Sequence, residues 1–215
     1  MAEVIDIYDA NLQLVGKMDR LEAHLKGHWH KTFHCWVVNG QNEGLILFQR
    51  RSSEMVNFPN MFDVSAAGHL EAGENVEQGI REVSEELGLP LSIGSLHSLG
   101  YRVEVADQSN GQLNREYQAV YMLRMDAPLS EYRPQVEEVS GLFWLKINDG
   151  LKLFSSSLSK AAMEGILHNS VTNEWEETTR VVTVADFLPR IQNYYLTACI
   201  MGERLVENRF PLAIS

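Results

Sequence analysis

Three acidic residues stand at spacings that suit the binding of a metal ion. Glu82, Glu85 and Glu86 are three, four and one positions apart, so on a helix their carboxylates share one face. Like charges on one helix face repel each other, and hard divalent cations such as Mg²⁺ take oxygen ligands. The pattern also fits a solvated acidic helix in which Arg81 partners the carboxylates. These residues alone leave both interpretations open.

The helix that carries this face is predicted over residues 76–87. Asn75 can cap its start, with Gln78 as the capping-box partner three residues later. Gly88, followed by leucine and proline, provides a stop signal. Val83 lies on the side away from the acids and is expected in the core. The segment is therefore predicted to present carboxylates on one side and apolar groups on the other.

The wider pattern resembles the signature of the Nudix hydrolases, glycine-x5-Glu-x7-Arg-Glu-apolar-x-Glu-Glu-x-Gly-apolar. Six residues separate Glu74 from Arg81, where the family pattern has seven. The spacing within the acidic face is unchanged, so the shortening bears on the contact between Glu74 and the helix. The specified positions are filled in order by Gly68, Glu74, Arg81, Glu82, Val83, Glu85, Glu86, Gly88 and Leu89.

This resemblance implies an α/β Nudix fold, a mixed β-sheet flanked by helices, and a metal-dependent hydrolase. The reaction would cleave a diphosphate linkage in a nucleoside diphosphate derivative or another organic diphosphate. The implied cofactor is Mg²⁺, with Mn²⁺ as an alternative. Its ligands would be Glu82, Glu85, Glu86 and the main-chain carbonyl of Ala67.

The resemblance also assigns roles around the metal ligands. Arg81 and Glu74 would orient the carboxylates through charge-assisted hydrogen bonds. The general base differs between Nudix families, and Glu82, Glu116 and Glu137 all remain candidates, with Glu116 favoured. The catalytic set is therefore predicted as Glu82, Glu116 and Arg81.

The segments HKTFHCWVV, ILFQRRSS and FPNMFDVSAAGH look like the branch of the superfamily that shares features with isopentenyl-diphosphate isomerase. By local context, His30 and His69 match two histidines that hold a metal in that isomerase, and Glu116 resembles its acid. The position of its catalytic cysteine is Ala67, and a methyl group cannot transfer a proton. The isomerase activity is therefore the weaker alternative.

Histidines and arginines near this branch signature are further candidates. His24, His28, His30 and His34 fall within eleven residues, and alternation along a strand predicts that His28, His30 and His34 could converge as a zinc site or form an ordinary strand edge. Arg50 and Arg51 end a strand and face opposite sides, so at most one is expected to clamp phosphate oxygens. The predicted substrate-binding residues are Arg50, Arg51 and His69. The aromatic side chains that could stack on a base are Trp29, Trp36, Phe58, Phe62 and Tyr101.

Composition limits the class of protein. The 215 residues, 45% of them hydrophobic, suffice for one enlarged domain, and a net charge of −11 argues against nucleic acid as the main partner. No apolar run reaches the roughly 18–20 residues that span a bilayer, no secretory signal is recognisable, and two cysteines are too few for a disulfide scaffold. We therefore expect a cytoplasmic enzyme that acts on a small-molecule diphosphate and has no nucleic-acid or membrane partner. Because closed dimers are the commonest assembly, a homodimer is expected by default.

The sequence predicts three parts. Residues 1–27 form an N-terminal hairpin extension, 28–148 the Nudix domain, and 149–215 a helical C-terminal extension. Apolar residues at helical spacing over 151–168 and 184–208 support the last part. The C-terminal part and the shortened signature also leave open a catalytically silent module that binds a nucleotide or a protein partner.

Overall fold

The computed structural model describes residues 3–214, whose strands form one mixed sheet. The chain order is β1 Val4–Tyr8, β2 Leu14–Asp19, β3 Trp29–Asn39, β4 Leu45–Arg51, β5 Phe62–Asp63, β6 Ala66–His69, β7 His97–Asp107, β8 Leu113–Arg124, β9 Val139–Lys146, β10 Ala161–Asn169 and β11 Glu174–Val182. On one side β3 pairs in parallel with β8, which pairs in turn with antiparallel β7. On its other side β3 meets β1, β6 and β4 in succession, all antiparallel.

Helices cover both faces of this sheet. They are α1 Arg20–Lys26, α2 Arg81–Leu87, α3 Ile147–Phe154 and α4 Tyr194–Val206, and a 3₁₀ turn over Val76–Ile80 leads into α2. On one face Val83 and Leu87 of α2 pack in a buried cluster with Phe33. On the other face α3 and α4 cover Trp36 and its neighbours.

Strand β3 is buried on both faces, but half of one face is polar. Phe33, Cys35 and Val37 point to the α2 side and are fully buried. His30, Thr32 and His34 point to the other side and are also buried. Since buried polar groups are uncommon in a core, this polar stretch indicates a site built into the sheet.

The two ends of the chain test the predicted extensions. The N-terminal hairpin is confirmed, because β1 and β2 pair around the turn after Tyr8. The helical spacing over 184–208 is confirmed by α4, whereas the helix predicted over 151–168 is wrong beyond Phe154. Residues 161–182 form the hairpin β10–β11, which extends the sheet through pairs such as Met163 with Leu145 of β9. Pairing with a distant strand overrides the local apolar spacing.

The sheet thus continues beyond residue 148, while the division into 1–27, 28–148 and 149–215 remains a prediction. Within the described part of the chain, no helix has the length and apolar character needed to cross a membrane.

Candidate active site

A cavity of 720 Å³ lies where β6, α1 and α2 meet Leu188 and Arg190. Two groups of side chains face it. One is acidic and comes from α2, and the other is rich in histidine and comes from α1, β3, β6 and β8. The residues from these two groups that line the cavity are Glu82, Glu85, Glu86, His24, His69 and Glu116.

Arg81 joins the acidic helix to the strand before it. Its Nε and Nη2 donate to the carboxylate of Glu74 at 2.9 and 3.2 Å. Its Nη1 lies 2.7 Å from Glu82 Oε1 and donates to Glu85 Oε2 at 3.1 Å. Its Nη2 also donates to the carbonyl of His69 at 2.9 Å. The contact between Glu74 and the helix, which the shortened signature brought into question, is therefore made.

The winding of the chain offsets the missing residue between Glu74 and Arg81. The predicted single helix begins as a 3₁₀ turn over Val76–Ile80, with the predicted capping box between Asn75 and Gln78 present. A 3₁₀ residue turns the chain by about 120° and an α-helical residue by about 100°. Five 3₁₀ residues therefore add about 100°, roughly the rotation of the one residue by which the signature is shortened.

Strand β6 lies directly against the carboxylates of α2. A Cβ atom at Gly68 would collide with the carboxyl group of Glu82, so any other residue here would displace that carboxyl group from its present position. The N–H of Ala67 donates to Glu86 Oε2 at 2.7 Å, and Gln49 Nε2 donates to the same oxygen at 3.3 Å. Because the N–H and C=O of a strand residue face the same edge, the carbonyl of Ala67 also faces α2. The strand edge thus brings this carbonyl to the side of the acidic face.

Burial disfavours the charged forms of two carboxyl groups in the acidic group. Burial raises the pKa of Glu82 to about 7 in spite of Arg81, and Glu85 and Glu138 raise it further. Burial also raises the pKa of Glu86 well above its ordinary value, although the N–H of Ala67 opposes the shift. A bound cation would favour the ionised form of such carboxylates, so this donor set fits a hard divalent ion such as Mg²⁺.

The second group contains three imidazoles, called the histidine group below, with the carboxylate of Glu116 of β8 beside them. His24, His30 and His69 each offer a nitrogen, and the three nitrogens lie within 4.8 Å of one another. His24 Nε2 is 3.1 Å from His69 Nε2, and His30 Nε2 is 3.9 Å from Glu116 Oε1. Within residues 3–214, His24 Nδ1 and His30 Nε2 are buried without a hydrogen-bond partner. Orphaned nitrogens beside a carboxylate match the ligands that zinc-like cations prefer.

Burial sets the charge state of this histidine group. It lowers the pKa of His24 to about 4, and that of His69 well below its ordinary value, with neighbouring histidines and Arg20 lowering both further. The imidazoles of His24 and His69 are therefore neutral near pH 7, and the neutral imidazole is the form that binds metal. Burial alone would raise the pKa of Glu116, but His30 and the hydrogen bond from Gln118 hold it below its ordinary value.

The predicted convergence of His28, His30 and His34 is wrong for two of its members. His28 precedes β3, and its carbonyl lies 2.9 Å from His30 Nδ1. His34 is on the same face as His30 but about 13 Å further along the strand, where its Nδ1 lies 2.9 Å from the hydroxyl of Tyr194. His24 and His69, from other elements, complete the group. Strand alternation could not reveal either, but the resemblance to the isomerase had paired His69 with His30 as metal histidines.

Arg50 and Arg51 face opposite sides of β4, as predicted. Arg51 lines the cavity and donates through Nε and Nη2 to the carbonyl of Asn57 at 3.2 and 3.1 Å. Arg50 donates instead to Ser140 Oγ at 3.1 Å. The geometry therefore places Arg51, rather than Arg50, where it can reach a substrate.

Of the predicted acidic and aromatic residues, some line the cavity and others lie elsewhere. Glu138 lines the cavity while its neighbour Glu137 points elsewhere, so Glu137 is poorly placed as a base. Phe58 lines the cavity, whereas Trp36 and Phe62 belong to the core. Trp29 stacks on Tyr117, with ring centres 4.6 Å apart, and the side chain of Tyr101 is half exposed on β7.

The fold and the acidic helix define a Nudix-type protein, and comparison with known proteins agrees. The model of the NUDIX domain family matches residues 28–163. Over 90% of this chain and 93% of the relative, the sequence is 33% identical to an uncharacterized Nudix hydrolase of Clostridium acetobutylicum. The chain belongs to the Nudix family.

Two further comparisons concern the branch of the family and the fold. It is 32% identical to an isopentenyl-diphosphate Delta-isomerase of Klebsiella pneumoniae, over 67% of this chain and 77% of that one. The crystal structure of DR0079 from Deinococcus radiodurans superposes with a TM-score of 0.56 at 26% identity, over 72% of this chain and 90% of the other. The similarity to the isomerase agrees with the branch that the sequence motifs indicated.

Proposed function

We propose that the protein is a metal-dependent hydrolase that cleaves a diphosphate linkage in a nucleoside diphosphate derivative or another organic diphosphate. The observation that carries the proposal is the convergence of Glu82, Glu85 and Glu86 on one cavity, beside Arg81 and Arg51. A diphosphate brings negative charge to a protein that is itself negative, so the site needs a cation that bridges the two.

Glu82, Glu85 and Glu86 would hold Mg²⁺, together with the carbonyl of Ala67. When bound, the ion polarises phosphoryl oxygens and lowers the pKa of a coordinated water. Arg81 fixes the carboxylates by its contacts with Glu82 and Glu85. The carboxylates do not have to rearrange to form this set of metal ligands, since hydrogen bonds already hold them in place.

Substrate phosphates would be oriented by Arg51, whose guanidinium already lines the cavity. Its planar set of donors matches phosphate oxygens. For the general base we favour Glu116, because it is a buried carboxylate on the cavity wall whose pKa lies below its ordinary value. A carboxylate that is ionised near pH 7 can accept a proton from an attacking water within hydrogen-bond reach.

A second candidate function is isomerisation of an isoprenoid diphosphate. The histidine group with Glu116, and the similarity to the Klebsiella isomerase, favour it. Ala67 stands against it, because the position that holds a catalytic cysteine in that isomerase has only a methyl group here. Cys35 and Cys199 are buried, and burial raises the pKa of the Cys35 thiol to about 12, so neither supplies a thiolate in the cavity.

The experiment is a screen for diphosphate cleavage with and without Mg²⁺, read as inorganic phosphate directly or, where cleavage gives two phosphomonoesters, after a phosphatase has been added. The panel contains nucleoside diphosphates, nucleotide sugars, dinucleotides and isopentenyl diphosphate, and NMR follows the last for allylic isomers. We expect Mg²⁺-dependent cleavage of one class and a loss of at least about 100-fold in Glu85→Gln, since a metal contributes several kcal/mol to catalysis. Glu164→Gln, the same change on an exposed part of β10, is the matched control.

The outcomes separate the alternatives. Full activity of Glu85→Gln would contradict the metal site on α2. Allylic isomer without phosphate release would favour the isomerase. Binding without turnover across the panel would favour a catalytically silent module. The predicted cytoplasmic location, the homodimer and the absence of nucleic-acid partners stay predictions.

A further inference from the structure

Glu116 begins a chain of buried polar contacts that the proposed reaction leaves unexplained. Gln118 Nε2 donates to Glu116 Oε2 at 2.7 Å. Arg102 Nη1 donates to Gln118 Oε1 at 2.5 Å. Gln118 is fully buried and Arg102 is 3% exposed, so water does not replace these contacts. The three side chains therefore form one connected network behind the cavity wall.

The chemistry of arginine fixes the orientation of the Gln118 amide. A guanidinium has donors and no acceptor, so the amide oxygen of Gln118 must face Arg102. Its NH₂ group then has to face Glu116. A flip of the amide would place donor against donor on one side and acceptor against carboxylate on the other. Glu116 Oε2 is thus held by Gln118. The other carboxylate oxygen, Oε1, faces His30 and lies 3.9 Å from its Nε2.

Arg102 is held in turn by the C-terminal segment, residues 187–195. Its Nη2 donates to the carbonyl of Ile191 at 2.7 Å, and its guanidinium carbon lies 4.4 Å from the centre of the Tyr194 ring. Glu104, its neighbour on β7, forms an ion pair with Nη1. This segment lies outside residues 28–163, which the family model matches, so the contact is a contribution of this chain's own C-terminal part.

Burial of the charged and polar side chains of this network costs free energy. An arginine loses its hydration in the core, and replacement of buried ionic groups by apolar residues of similar volume is often neutral or stabilising. The register of the sheet aligns Gln118 with Arg102 and Glu116 with Glu104, in two adjacent rows beside the histidine group. A function in orienting Glu116 explains why polar residues occupy these rows.

We propose that Gln118 and Arg102 are positioning residues for Glu116, and that segment 187–195 completes the active site by holding Arg102. The kinetic part of the test rests on the proposed function. The structural part does not depend on it.

The main variant is Gln118→Glu, which keeps the shape of the side chain and an acceptor for Arg102 but replaces the NH₂ donor by a carboxylate oxygen that repels Glu116. We expect kcat to fall by about 10- to 100-fold, as for residues that orient active-site ligands, with a much smaller change in KM. Gln41→Glu, the same change on an exposed loop, should leave both unchanged. Arg102→Lys keeps the positive charge but loses the planar set of donors that reaches the carbonyl of Ile191, so a smaller fall in kcat is expected.

A double-mutant cycle separates positioning from general damage to the fold. If Gln118 acts through Glu116, then Gln118→Glu should have little further effect on kcat in a Glu116→Gln background. An equal fold-loss in both backgrounds would overturn the proposal, as would an unchanged kcat in the single variant.

Crystal structures of the parent protein and of Gln118→Glu give a readout without turnover. We expect the Glu116 carboxylate to rotate away from its parental orientation while Arg102 stays paired. An unchanged Glu116 would overturn the proposal. If the parent cleaves nothing in the panel, the proposed hydrolase fails, and this comparison still decides whether Gln118 positions Glu116. Should Gln118→Glu not fold, Arg102→Lys serves for the same comparison.

Discussion

The two groups of ligands on the cavity differ in almost every physical respect. Glu82, Glu85 and Glu86 come from one helix turn, and the side chain of Glu85 is 51% exposed. The histidine group comes from three elements, and His24 and His30 are buried. Hard oxygen ligands suit Mg²⁺, whereas neutral imidazoles suit zinc-like ions. One cavity therefore offers two different coordination chemistries.

Strand β6 is the element that separates the two groups. Gly68 lies against Glu82 of the acidic group, and the next residue, His69, belongs to the histidine group. Arg81 spans the two, since it binds the acidic residues and the carbonyl of His69. A substitution in one group, with metal binding measured at both, therefore tests whether the groups are independent.

The largest effect is expected for His69→Gln. Removal of one imidazole should weaken Co²⁺ or Zn²⁺ binding to the histidine group by at least about 100-fold, because three or four ligands are normally required. Mg²⁺ affinity should change less than about threefold, since Arg81 binds the main chain of residue 69 rather than its ring. Visible absorption of Co²⁺ and calorimetry of Mg²⁺ measure the two sites. Loss of both together would mean that they form a single centre.

The next effect concerns the stability of the metal-free protein. The pKa of Glu82 is raised from 4.5 to about 7 by burial, so the unfolded state ionises first as pH rises. The stabilising contribution of the protonated carboxyl is complete below about pH 4.5 and is lost as pH rises through about 7. Relative to Glu82→Gln, the parent should lose on the order of 1–3 kcal/mol between pH 5 and pH 8.

Urea unfolding in a chelator measures this difference, and Mg²⁺ should reduce it at pH 8 by stabilising the ionised form. Parallel pH profiles of the two proteins would show that Glu82 is already ionised in the folded state.

The smallest effect is expected for Gly79→Ala in the 3₁₀ turn. An added Cβ would lie 2.6 Å from Phe33 Cβ and 2.8 Å from Leu70 Cδ2, so the turn must shift. We expect a loss of about 1–2 kcal/mol in unfolding free energy and a few-fold weaker Mg²⁺ binding. Co²⁺ binding to the histidine group should not change. A normal Mg²⁺ affinity in a destabilised variant would show that the position of α2 does not depend on this packing.

Several features were predictable because they depend on neighbours in the sequence. The capping box of Asn75 and Gln78, the stop at Gly88 and the opposite orientations of Arg50 and Arg51 follow from helix and strand periodicity. Strand β10 was predicted as a helix, because its pairing with β9 is a long-range contact that local spacing does not reveal.

The same distinction holds for the site. The sequence by itself determined the acidic group, because residues three and four apart on one helix must share a face whatever the rest of the fold does. Only the tertiary structure decided that His24 joins His30 and His69, that Glu138 rather than Glu137 faces the cavity, and that Arg102 is held by residues after 187. These contacts join distant segments, and their geometry is set by the register and packing of the sheet rather than by spacing along the chain.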